Sequence, residues 1–515
     1  MCIDKGFIMS TPAVTNILGN RNISFKANAR TSIFYVNDIH GQVPKMERLH
    51  SAAQHSEVVA KQNNQDFLKV CSGDTFIGSD EKRNMAAASF LNVMKMDAET
   101  LGNHEFDITA SICGKLLCNS RTNVLGMNLN FPNTTSDLAK KVKRSTVITS
   151  ESGEKYGIIG IQPTDIAHRI KRKESLENIT IDDDAQTIKE LQEEVDGLKK
   201  QGINKILLLS HAGNTLEKQI AQTVRGIDVI LGGHSHDLIT GVKEGENLLY
   251  DPDGNPVVIT QAGRDGSHFG VLNLEFNDKG QIVKVQNNVR DTNIYSPNVI
   301  MTKAMNKILG ETPIIGNLRH VDPIPKNNLT DENPWADFVC DALINKLDAE
   351  ISLINAANFR GSVDKGVITE RDITSIFPFN NTLHKVKLNE KDLVDAIKQC
   401  AKSMTTKNHK PGLLQVGGLS YTVNKKGEIL EITHKDKAGN LHKIDVNNPN
   451  PNRIYTTIYD EFLVNGGDNM TMLKKTGADI IQKYDYDKDI VTIDYIKTLD
   501  QPFEVRSDNR IKVVD

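Results

Sequence analysis

The sequence predicts an α/β fold in two domains, and three observations support this prediction. Short apolar segments alternate with longer amphipathic segments from Thr31 onward, which is the pattern of strands followed by helices. The alternation pauses near Ser296–Gly310 and then restarts. The length of 515 residues also exceeds what one hydrophobic core usually organises. Folds of this kind place their functional groups at the carboxyl ends of the strands.

The first domain is expected to span residues 31–295, after a disordered leader over residues 1–30. Its predicted strands are Thr31–Asn37, Asp66–Cys71, Lys205–Ser210, Asp228–Leu231 and Pro256–Gln261. Its predicted helices are Lys45–Lys61 and Arg83–Lys95. Turn-forming residues follow these strands, as expected where polar loops lead from strands into helices.

A connector at residues 296–312, carrying one helix, is expected to lead into a second domain at residues 313–515. The second domain is predicted to contain helices at Pro334–Lys346 and Glu390–Ser403. Its predicted strands are Glu350–Ile354 and Ile454–Tyr459. The second domain is therefore also expected to be α/β.

The composition is typical of a soluble globular protein and argues against several classes of function. Hydrophobic residues make up 38% of the chain and the net charge is −4, whereas a nucleic-acid-binding protein would favour a strongly basic face. No apolar run approaches the ~18 residues that span a membrane. The six cysteines form no CxxC pair and are expected to be buried thiols, which suits a reducing compartment. The leader lacks a proper apolar core, so the cytoplasm is slightly favoured, and a degenerate export signal is the alternative.

Five short polar clusters in the first domain each follow a predicted strand or an apolar stretch. They are Asp38-Ile39-His40-Gly41, Gly73-Asp74, Gly102-Asn103-His104-Glu105 with Asp107, Ser210-His211, and Gly232-Gly233-His234-Ser235-His236. An isolated Asp-x-His or Gly-Asp is more often an ordinary turn, so the prediction depends on the five clusters together. Imidazole and carboxylate side chains suit zinc, manganese, iron or cobalt better than calcium, and the lack of thiolates argues against a closed structural zinc site.

The clusters contain enough ligands for two adjacent cations. Two cations about 3.5–4 Å apart can hold a phosphoryl group, activate a water and neutralise charge during an in-line displacement. Their mutual repulsion requires a bridging anion, and a carboxylate with two oxygens can bridge. The glycines beside Asp74 and His234 allow the backbone to turn sharply and bring these side chains to the metals. The first domain is therefore expected to bind two divalent metal ions, of zinc, manganese, iron or cobalt.

The order of the five clusters resembles the calcineurin-like metallophosphoesterases. Motifs in the second domain resemble the C-terminal domain of the 5′-nucleotidase and 2′,3′-cyclic-nucleotide phosphodiesterase family; they are NAANFR from Asn355 to Arg360, FPFN from Phe377 to Asn380, QVGG from Gln415 to Gly418, and FLVNGGD from Phe462 to Asp468. The resemblance extends from about Ser32 to Lys475. It implies a four-layer metallophosphoesterase β-sandwich flanked by helices, followed by a smaller α/β substrate-binding domain. Relatives in this family are often exported.

The resemblance also implies roles for individual residues. The first metal would be bound by Asp38, His40 and His236. The second would be bound by Asn103, His211 and His234, with Asp74 as the bridge. His104 and Asp107 match the catalytic dyad of the family, in which a carboxylate orients a histidine that stabilises charge. The substrate-binding positions are matched by Asn355, Arg360, Phe462 and Asp468; core packing is the alternative for Phe462.

The second domain departs from the family pattern at several positions. In the family two aromatic rings sandwich the base, and Phe462 matches one of them. The second ring, just before Gln-Val-Gly-Gly, corresponds to Leu413, so one face of the base is expected to meet only an aliphatic side chain. The second substrate-binding arginine of the family is replaced within Asp331–Asn333. The Gly-Gly pair of the family is Ala357-Asn358, followed by Phe359. The metal-site motifs are intact, whereas the specificity motifs are altered.

We therefore expect a metal-dependent phosphoesterase that releases phosphate from nucleoside monophosphates or related nucleotides. The alternatives are hydrolysis of 2′,3′-cyclic nucleotides, sugar phosphates or sulfur-linked sulfates and, from another class, a binding protein that retains the fold. The His104–Asp107 pair counts against mere binding, which needs no such dyad. The acidic net charge counts against a nuclease on the same metal core. Metal identity and oligomeric state are left open.

Overall fold

A computed structural model describes residues 15–16, 28–132, 135–166, 173–176, 178–325, 327–379, 381–406 and 409–515. Most of the predicted leader, and Asn380 of the FPFN motif, lie outside these ranges. The chain divides into two compact units, the first ending at Glu311 and the second running over Thr312–Asp515.

The first unit alternates strands and helices as the sequence predicts. Its strands are β1 (Thr15–Asn16), β2 (Ala29–Val36), β3 (Asp66–Cys71), β4 (Ala98–Thr100), β5 (Asn123–Leu125), β6 (Leu129–Asn130), β7 (Ser145–Thr149), β8 (Lys155–Ile161), β9 (Thr180–Ile181), β10 (Ile206–Ser210), β11 (Val229–Leu231), β12 (Leu248–Tyr250), β13 (Pro256–Thr260), β14 (His268–Phe276) and β15 (Ile282–Asp291). Its α-helices are α1 (Val43–Gln62), α2 (Glu81–Met94), α3 (Ala110–Leu117), α4 (Asp137–Lys141), α5 (Asp184–Lys200), α6 (Asn214–Thr223) and α7 (Val299–Leu309).

Two mixed sheets form the centre of the first unit. The described strands of one sheet have the order β1-β15-β14-β2-β3-β4-β5, and those of the other have the order β12-β13-β11-β10-β8-β7. Strands β2 to β5 are mutually parallel, as are β8, β10, β11 and β13. Each sheet therefore has an edge at which the carboxyl ends of several parallel strands lie side by side.

Alternate residues of each strand face opposite sides of its sheet, so the two sheets pack on each other and on outer helices in four layers. In β2, Ile33 and Tyr35 pack with Leu207 and Leu209 of β10, so this cluster lies between the two sheets. The intervening Phe34 packs instead against α1 and α2 on the outer face of the first sheet. Helices α5 and α6 cover the outer face of the second sheet. The predicted fold class and its four layers are confirmed.

Local signals explain why helix boundaries differ by a few residues from the prediction. Helix α1 begins at Val43, two residues early, because Pro44 is favourable in the first turn, where its missing N–H costs nothing. Helix α2 begins at Glu81 because the Asp80 side chain accepts a hydrogen bond from the Arg83 N–H and caps the helix.

The second unit contains three sheets among its described residues. Its strands are β16 (Ile314–Val321), β17 (Ile351–Asn355), β18 (Gly366–Thr369), β19 (Leu383–Asn389), β20 (Leu414–Gly417), β21 (Leu419–Asn424), β22 (Ile429–Lys435), β23 (Leu441–Ile444), β24 (Ile454–Asp460), β25 (Ile480–Lys483), β26 (Phe503–Val505) and β27 (Ile511–Val514). Its α-helices are α8 (Pro334–Leu347), α9 (Glu370–Ser375), α10 (Glu390–Ala401), α11 (Glu461–Val464) and α12 (Lys488–Ile496). The largest sheet has the order β20-β17-β24-β19-β25 and packs against α10.

Two further sequence expectations concern cysteines and membrane spans. Among the described cysteines, Cys71, Cys113, Cys340 and Cys400 are buried, whereas Cys118, directly after α3, is exposed. The expectation of burial is therefore wrong for Cys118. Across the described ranges, no helix has the length and apolar character needed to cross a membrane.

Candidate metal centre

The predicted ligands lie in loops that leave the carboxyl ends of parallel strands. Asp38 and His40 follow β2, Asp74 follows β3, and Asn103 follows β4. The loops after β10 and β11 in the second sheet carry His211, His234 and His236. Because the two sheets pack face to face, these edges meet, and residues almost two hundred positions apart in the chain come into contact.

The backbone of these loops is strained at the ligand positions. Most predicted ligands have positive φ, which non-glycine residues rarely adopt; they are Asp38 (49°), His40 (52°), Asp74 (52°), His234 (72°) and His236 (61°). Such conformations persist only where the surrounding structure enforces them, and they concentrate at functional sites. The concentration of this strain on the predicted ligands therefore supports a functional centre.

The glycines of the motifs provide space as well as turns. Gly73 has φ of +83°, and a Cβ atom there would lie 2.7 Å from Nδ1 of His211. Gly233 has no positive φ, but its Cβ would lie 2.7 Å from the same nitrogen and 2.6 Å from the Ser72 carbonyl oxygen. The predicted sharp turn therefore holds for Gly73, whereas Gly233 is required for close approach.

The structure brings six of the predicted residues into three overlapping groups of potential metal ligands. Within each group the ligand atoms lie within 4.8 Å of one another; the groups are Asp38-His40-His236, His40-Asp74-His104 and Asp38-Asp74-His211. Asp74 is central, because its Oδ2 lies 3.4 Å from Nε2 of His40 and 3.1 Å from Nε2 of His211. A carboxylate that faces two imidazoles in this way has the position expected of a bridge.

Three predicted ligand atoms are buried without a conventional partner. Nε2 of His40, Nε2 of His211 and Oδ1 of Asn103 make no hydrogen bond to any residue in the described part of the chain. Buried polar groups almost always have partners, so such a concentration at one site requires an explanation. Nitrogen and oxygen lone pairs facing two aspartates fit divalent cations, and the donor set is compatible with the predicted metals.

The acidic and basic groups of the centre stabilise each other's charged forms. Burial alone would raise the pKa of Asp38, but the nearby His211 and His236 lower it to about 2. Burial alone would lower the pKa of His211, but the charges of Asp74 and Asp38 raise it to about 10. The pKa of Asp74 is also held well below its ordinary value, since the charges of His211 and His104 outweigh the effect of burial. The carboxylates are therefore anionic at neutral pH, and without metal His211 is protonated. A bound cation would take the place of the Nε2 proton of His211.

His234 and Asn103 are less directly joined to these groups. The His234 ring lies 5.2 Å from the His211 ring, and its backbone N–H donates to the Asp38 carboxylate at 3.0 Å. Asn103 precedes the short 3-10 helix at His104–Phe106. Their assignment to the second metal remains a prediction.

The His104–Asp107 pair has the geometry of an oriented histidine. Nδ1 of His104 lies 2.6 Å from Oδ2 of Asp107, and the same oxygen accepts a hydrogen bond from the Gly78 N–H at 2.7 Å. Burial alone would raise the pKa of Asp107, but the charge and hydrogen bond of His104 lower it. The backbone N–H of His104 donates to Oδ1 of Asp74 at 2.8 Å. The histidine is thus held beside Asp74 with one ring nitrogen committed to a carboxylate.

Sequence reasoning missed two buried carboxylates that support the centre. Glu105 accepts hydrogen bonds from the backbone N–H groups of Asp74, Phe76 and Gly102, so it ties together the loops after β3 and β4. Asp265, after β13, lies against Nδ1 of His40. Glu105 lies inside the Gly-Asn-His-Glu motif, which was a usable signal. Asp265 has no such motif around it.

In the second unit, two of the predicted substrate-binding residues are in direct contact. The Asn355 amide donates to Oδ2 of Asp468 at 3.1 Å. Asn358, at a departure from the family pattern, donates both to Oδ1 of Asn355 and, at 2.8 Å, to the Asp460 carboxylate. This bonding gives Asn358 a structural reason to replace glycine, because it fixes the orientation of the Asn355 amide.

The other two predicted substrate-binding residues, Arg360 and Phe462, are both partly exposed. The Arg360 guanidinium lies 5.9 Å from the centre of the Phe379 ring. The Phe462 ring packs on Gly467, where an added Cβ would lie 2.5 Å from ring atoms. Packing therefore accounts for part of the Phe462 surface, as the alternative interpretation expected.

Two departures from the family pattern have structural explanations. Leu413 is fully buried in the hydrophobic core beside α10, so it offers no surface on which a base could stack. The interpretation of Leu413 as one face of a base site is therefore wrong. In the Asp331–Asn333 segment, Asn333 caps α8 and Glu332 accepts backbone hydrogen bonds from Asp508 and Asn509. In the structure, Asn333 and Glu332 therefore stabilise the fold of the second unit.

Comparison with known proteins agrees with the fold and the motifs. The profile of calcineurin-like phosphoesterases matches residues 31–238, and that of the 5′-nucleotidase C-terminal domain matches residues 314–475. The 5′-nucleotidase of Mus musculus is 27% identical over 478 residues, covering 84% of this chain and 80% of that protein. The 5′-nucleotidase precursor of Thermus thermophilus superposes with a TM-score of 0.66 at 22% identity, covering 94% of this chain and 99% of that one.

The fold is also shared with an enzyme that acts on a different ester. The sulfate thiohydrolase SoxB of Thermus thermophilus superposes with a TM-score of 0.64 at 16% identity, covering 96% of this chain and 98% of that one. The fold alone therefore does not specify the substrate. The two domain profiles, their order and the Asp/His cluster nevertheless agree with the predicted resemblance. The chain belongs to the 5′-nucleotidase family of metal-dependent phosphoesterases, with a calcineurin-like phosphoesterase domain followed by a 5′-nucleotidase C-terminal domain.

Proposed function

We propose that this protein hydrolyses nucleoside monophosphates, or closely related nucleotides, to nucleoside and inorganic phosphate. The single observation that carries the proposal is the position of Asp74, whose Oδ2 faces the unpartnered Nε2 atoms of both His40 and His211. One divalent cation would be held by Asp38, His40 and His236, and another by Asn103, His211 and His234. Asp74 would be a ligand of both. Zinc, manganese, iron and cobalt all suit these donors.

The cations, when bound, would supply Lewis-acid activation of a water and neutralise charge on the phosphoryl oxygens. The protein's own contribution is to orient the reacting groups. Asp107 is ionised and accepts a hydrogen bond from Nδ1–H of His104, so the opposite ring nitrogen is left for the phosphoryl group or leaving oxygen. The backbone N–H of His104 donates a hydrogen bond to Oδ1 of Asp74, which holds His104 beside the proposed bridging carboxylate. His104 is thus suited to stabilise charge that develops in the transition state.

The second domain is proposed to select the nucleotide. Arg360 can bind phosphate or another anion in the planar fork geometry of guanidinium, and Phe462 can provide one stacking surface. The hydrogen bond from Asn355 to Asp468 places an amide beside a carboxylate. Together these groups can donate to and accept from the hydroxyls of a sugar or the polar edge of a base. The residues 31–295 and 313–515 are proposed as the catalytic and the substrate-binding domain, respectively.

The test is a substrate panel with the purified protein and Mn²⁺. Nucleoside monophosphates, ribose 5-phosphate and p-nitrophenyl phosphate are scored by release of inorganic phosphate. 2′,3′-Cyclic nucleotides are scored by ring opening to the nucleoside monophosphate, and an S-sulfonate (R–S–SO₃⁻) is scored by release of sulfate with the thiol. The proposal is supported if kcat/KM is highest for a nucleoside monophosphate, and if a chelator abolishes this activity and Mn²⁺ restores it. Highest kcat/KM for a cyclic nucleotide or the sulfur ester would replace it with one of the alternatives. No turnover of any ester by the metal-loaded protein would favour a binding protein.

A further inference from the structure

Asp265 is a buried carboxylate that contacts the proposed metal centre from behind. It follows β13, is 5% exposed, and its Oδ1 lies 2.8 Å from Nδ1 of His40. Its backbone N–H donates to the backbone oxygen of Asp38 at 2.6 Å. One residue of the loop that joins β13 to β14 therefore contacts both Asp38 and His40 of the loop after β2. Asp265 and His40 are 225 positions apart in the chain.

The local backbone is shaped for this contact. Asp265 has a φ of +58° and Gly266 a φ of +59°, so two consecutive residues adopt the left-handed conformation. A non-glycine residue adopts this conformation at a cost, which the surrounding structure must offset. The second carboxylate oxygen of Asp265 lies 3.4 Å from Nε of Arg264, which leaves the first oxygen to His40.

The contact determines which ring nitrogen of His40 is available. A carboxylate accepts hydrogen bonds but does not donate them, so Nδ1 of a neutral His40 must carry the proton. The lone pair is then on Nε2, which lies 3.4 Å from Oδ2 of Asp74 and 3.8 Å from Oδ1 of Asp38. A charged acceptor behind a ligating histidine also makes the imidazole a stronger donor to a metal.

The two sides of the centre differ in this respect. Nδ1 of His211 lies 2.5 Å from the backbone oxygen of Ser72, which is a neutral acceptor. His40 is therefore supported by a full negative charge and His211 by a peptide dipole. A hydrogen bond to an ionised acceptor is roughly twice as strong as one to a neutral acceptor.

We propose that Asp265 is a positioning residue that fixes the tautomer of His40 and strengthens the cation site formed by Asp38, His40 and His236 relative to the site that contains His211. The inference rests on the proposed two-metal function and adds to it an asymmetry between the two sites. Asp265 touches neither substrate nor reacting atoms, so its effect passes through His40.

The test is a Mn²⁺ titration of the metal-free wild type and of the variants D265A and D265N, with two binding constants fitted to each. D265A removes the acceptor, and we expect one of the two Kd values to rise by about 10–100-fold while the other stays unchanged. D265N keeps an oxygen that can accept the Nδ1 proton but loses the charge, and we expect a smaller rise in the same Kd. If D265A fails to fold, D265N alone decides, since an unchanged pair of Kd values would then overturn the proposal.

D228N is the matched control. Asp228, which directly precedes β11, is also a buried carboxylate. It accepts a hydrogen bond from the backbone N–H of Ile206 at 2.7 Å, at the start of β10 and thus at the opposite edge of the second sheet from the centre. D228N should bind both ions like the wild type. Unchanged binding in D265A, or an equal loss of both ions in D265A and D265N, would overturn the role of Asp265. A wild type that binds no Mn²⁺ would instead overturn the proposed function itself.

Discussion

Removing the His104 side chain should separate chemistry from metal binding. His104 lies in one of the three ligand groups, so its geometry alone allows it to be either a ligand or a catalytic group. Its Nδ1 is committed to Asp107 and its side chain is only 17% exposed, which makes the ring a preorganised donor that is largely shielded from solvent. Loss of one such donor typically costs about 2.7–4 kcal/mol of transition-state stabilisation. This corresponds to a decrease of roughly 10²–10³ in kcat for H104A.

The Asp107 carboxylate should contribute through His104. D107A should therefore cost less, within the range of about 0.5–3 kcal/mol for coupled neighbours, and the double variant H104A/D107A should be no slower than H104A. The assay is steady-state kinetics with p-nitrophenyl phosphate, combined with metal analysis of each purified protein. H104A should retain both metals. Loss of an ion from H104A, or a double variant whose loss equals the product of the single losses, would refute this assignment.

Three further predictions concern other residues. D74N removes the proposed bridge between two cations and should lower the content of both metals together with activity; two retained equivalents of metal and a near-normal rate would show that Asp74 does not bridge. L413F inserts a ring into a fully buried core position and should cost about 1–3 kcal/mol in a denaturant titration, without selectively lowering KM for purine nucleotides. Burial raises the pKa of Asp228 to about 8, so the folded state retains a proton that the unfolded chain releases above about pH 4. The contribution of Asp228 to stability is thus full below about pH 4 and is lost as the pH rises through about 8. Between pH 5 and pH 8.5, the free energy of unfolding should therefore decrease less for metal-free D228N than for the metal-free wild type. Equal decreases would contradict the raised pKa of Asp228.

The sequence was sufficient to predict the fold class and the loops of the centre because both follow from local patterns. Apolar strands such as Lys205–Ser210 are short and uninterrupted, and the ligand motifs come directly after them. Parallel strands then bring the motifs to one edge of each sheet. The antiparallel pair β14 and β15 was missed, although β14 alternates buried and partly exposed residues as a half-buried strand does.

Features that depend on contacts between distant segments could not be predicted. The role of Asp265 depends on a contact between its loop, after β13, and His40 in the loop after β2, and no pattern near Asp265 indicates this contact. The burial of Leu413 likewise depends on how α10 packs over the largest sheet of the second unit, whereas its place beside the QVGG motif suggested a binding surface. The ligand roles, the domain limits and the cytoplasmic location remain predictions.

The most direct test of the two-metal account is anomalous diffraction from crystals of the wild-type protein grown with Mn²⁺. We expect two anomalous peaks about 3.5–4 Å apart. One should adjoin Asp38, His40 and His236, the other should adjoin His211, and the Asp74 carboxylate should lie between them. A single peak, or two peaks that do not share Asp74 as a ligand, would contradict a two-metal centre bridged by Asp74.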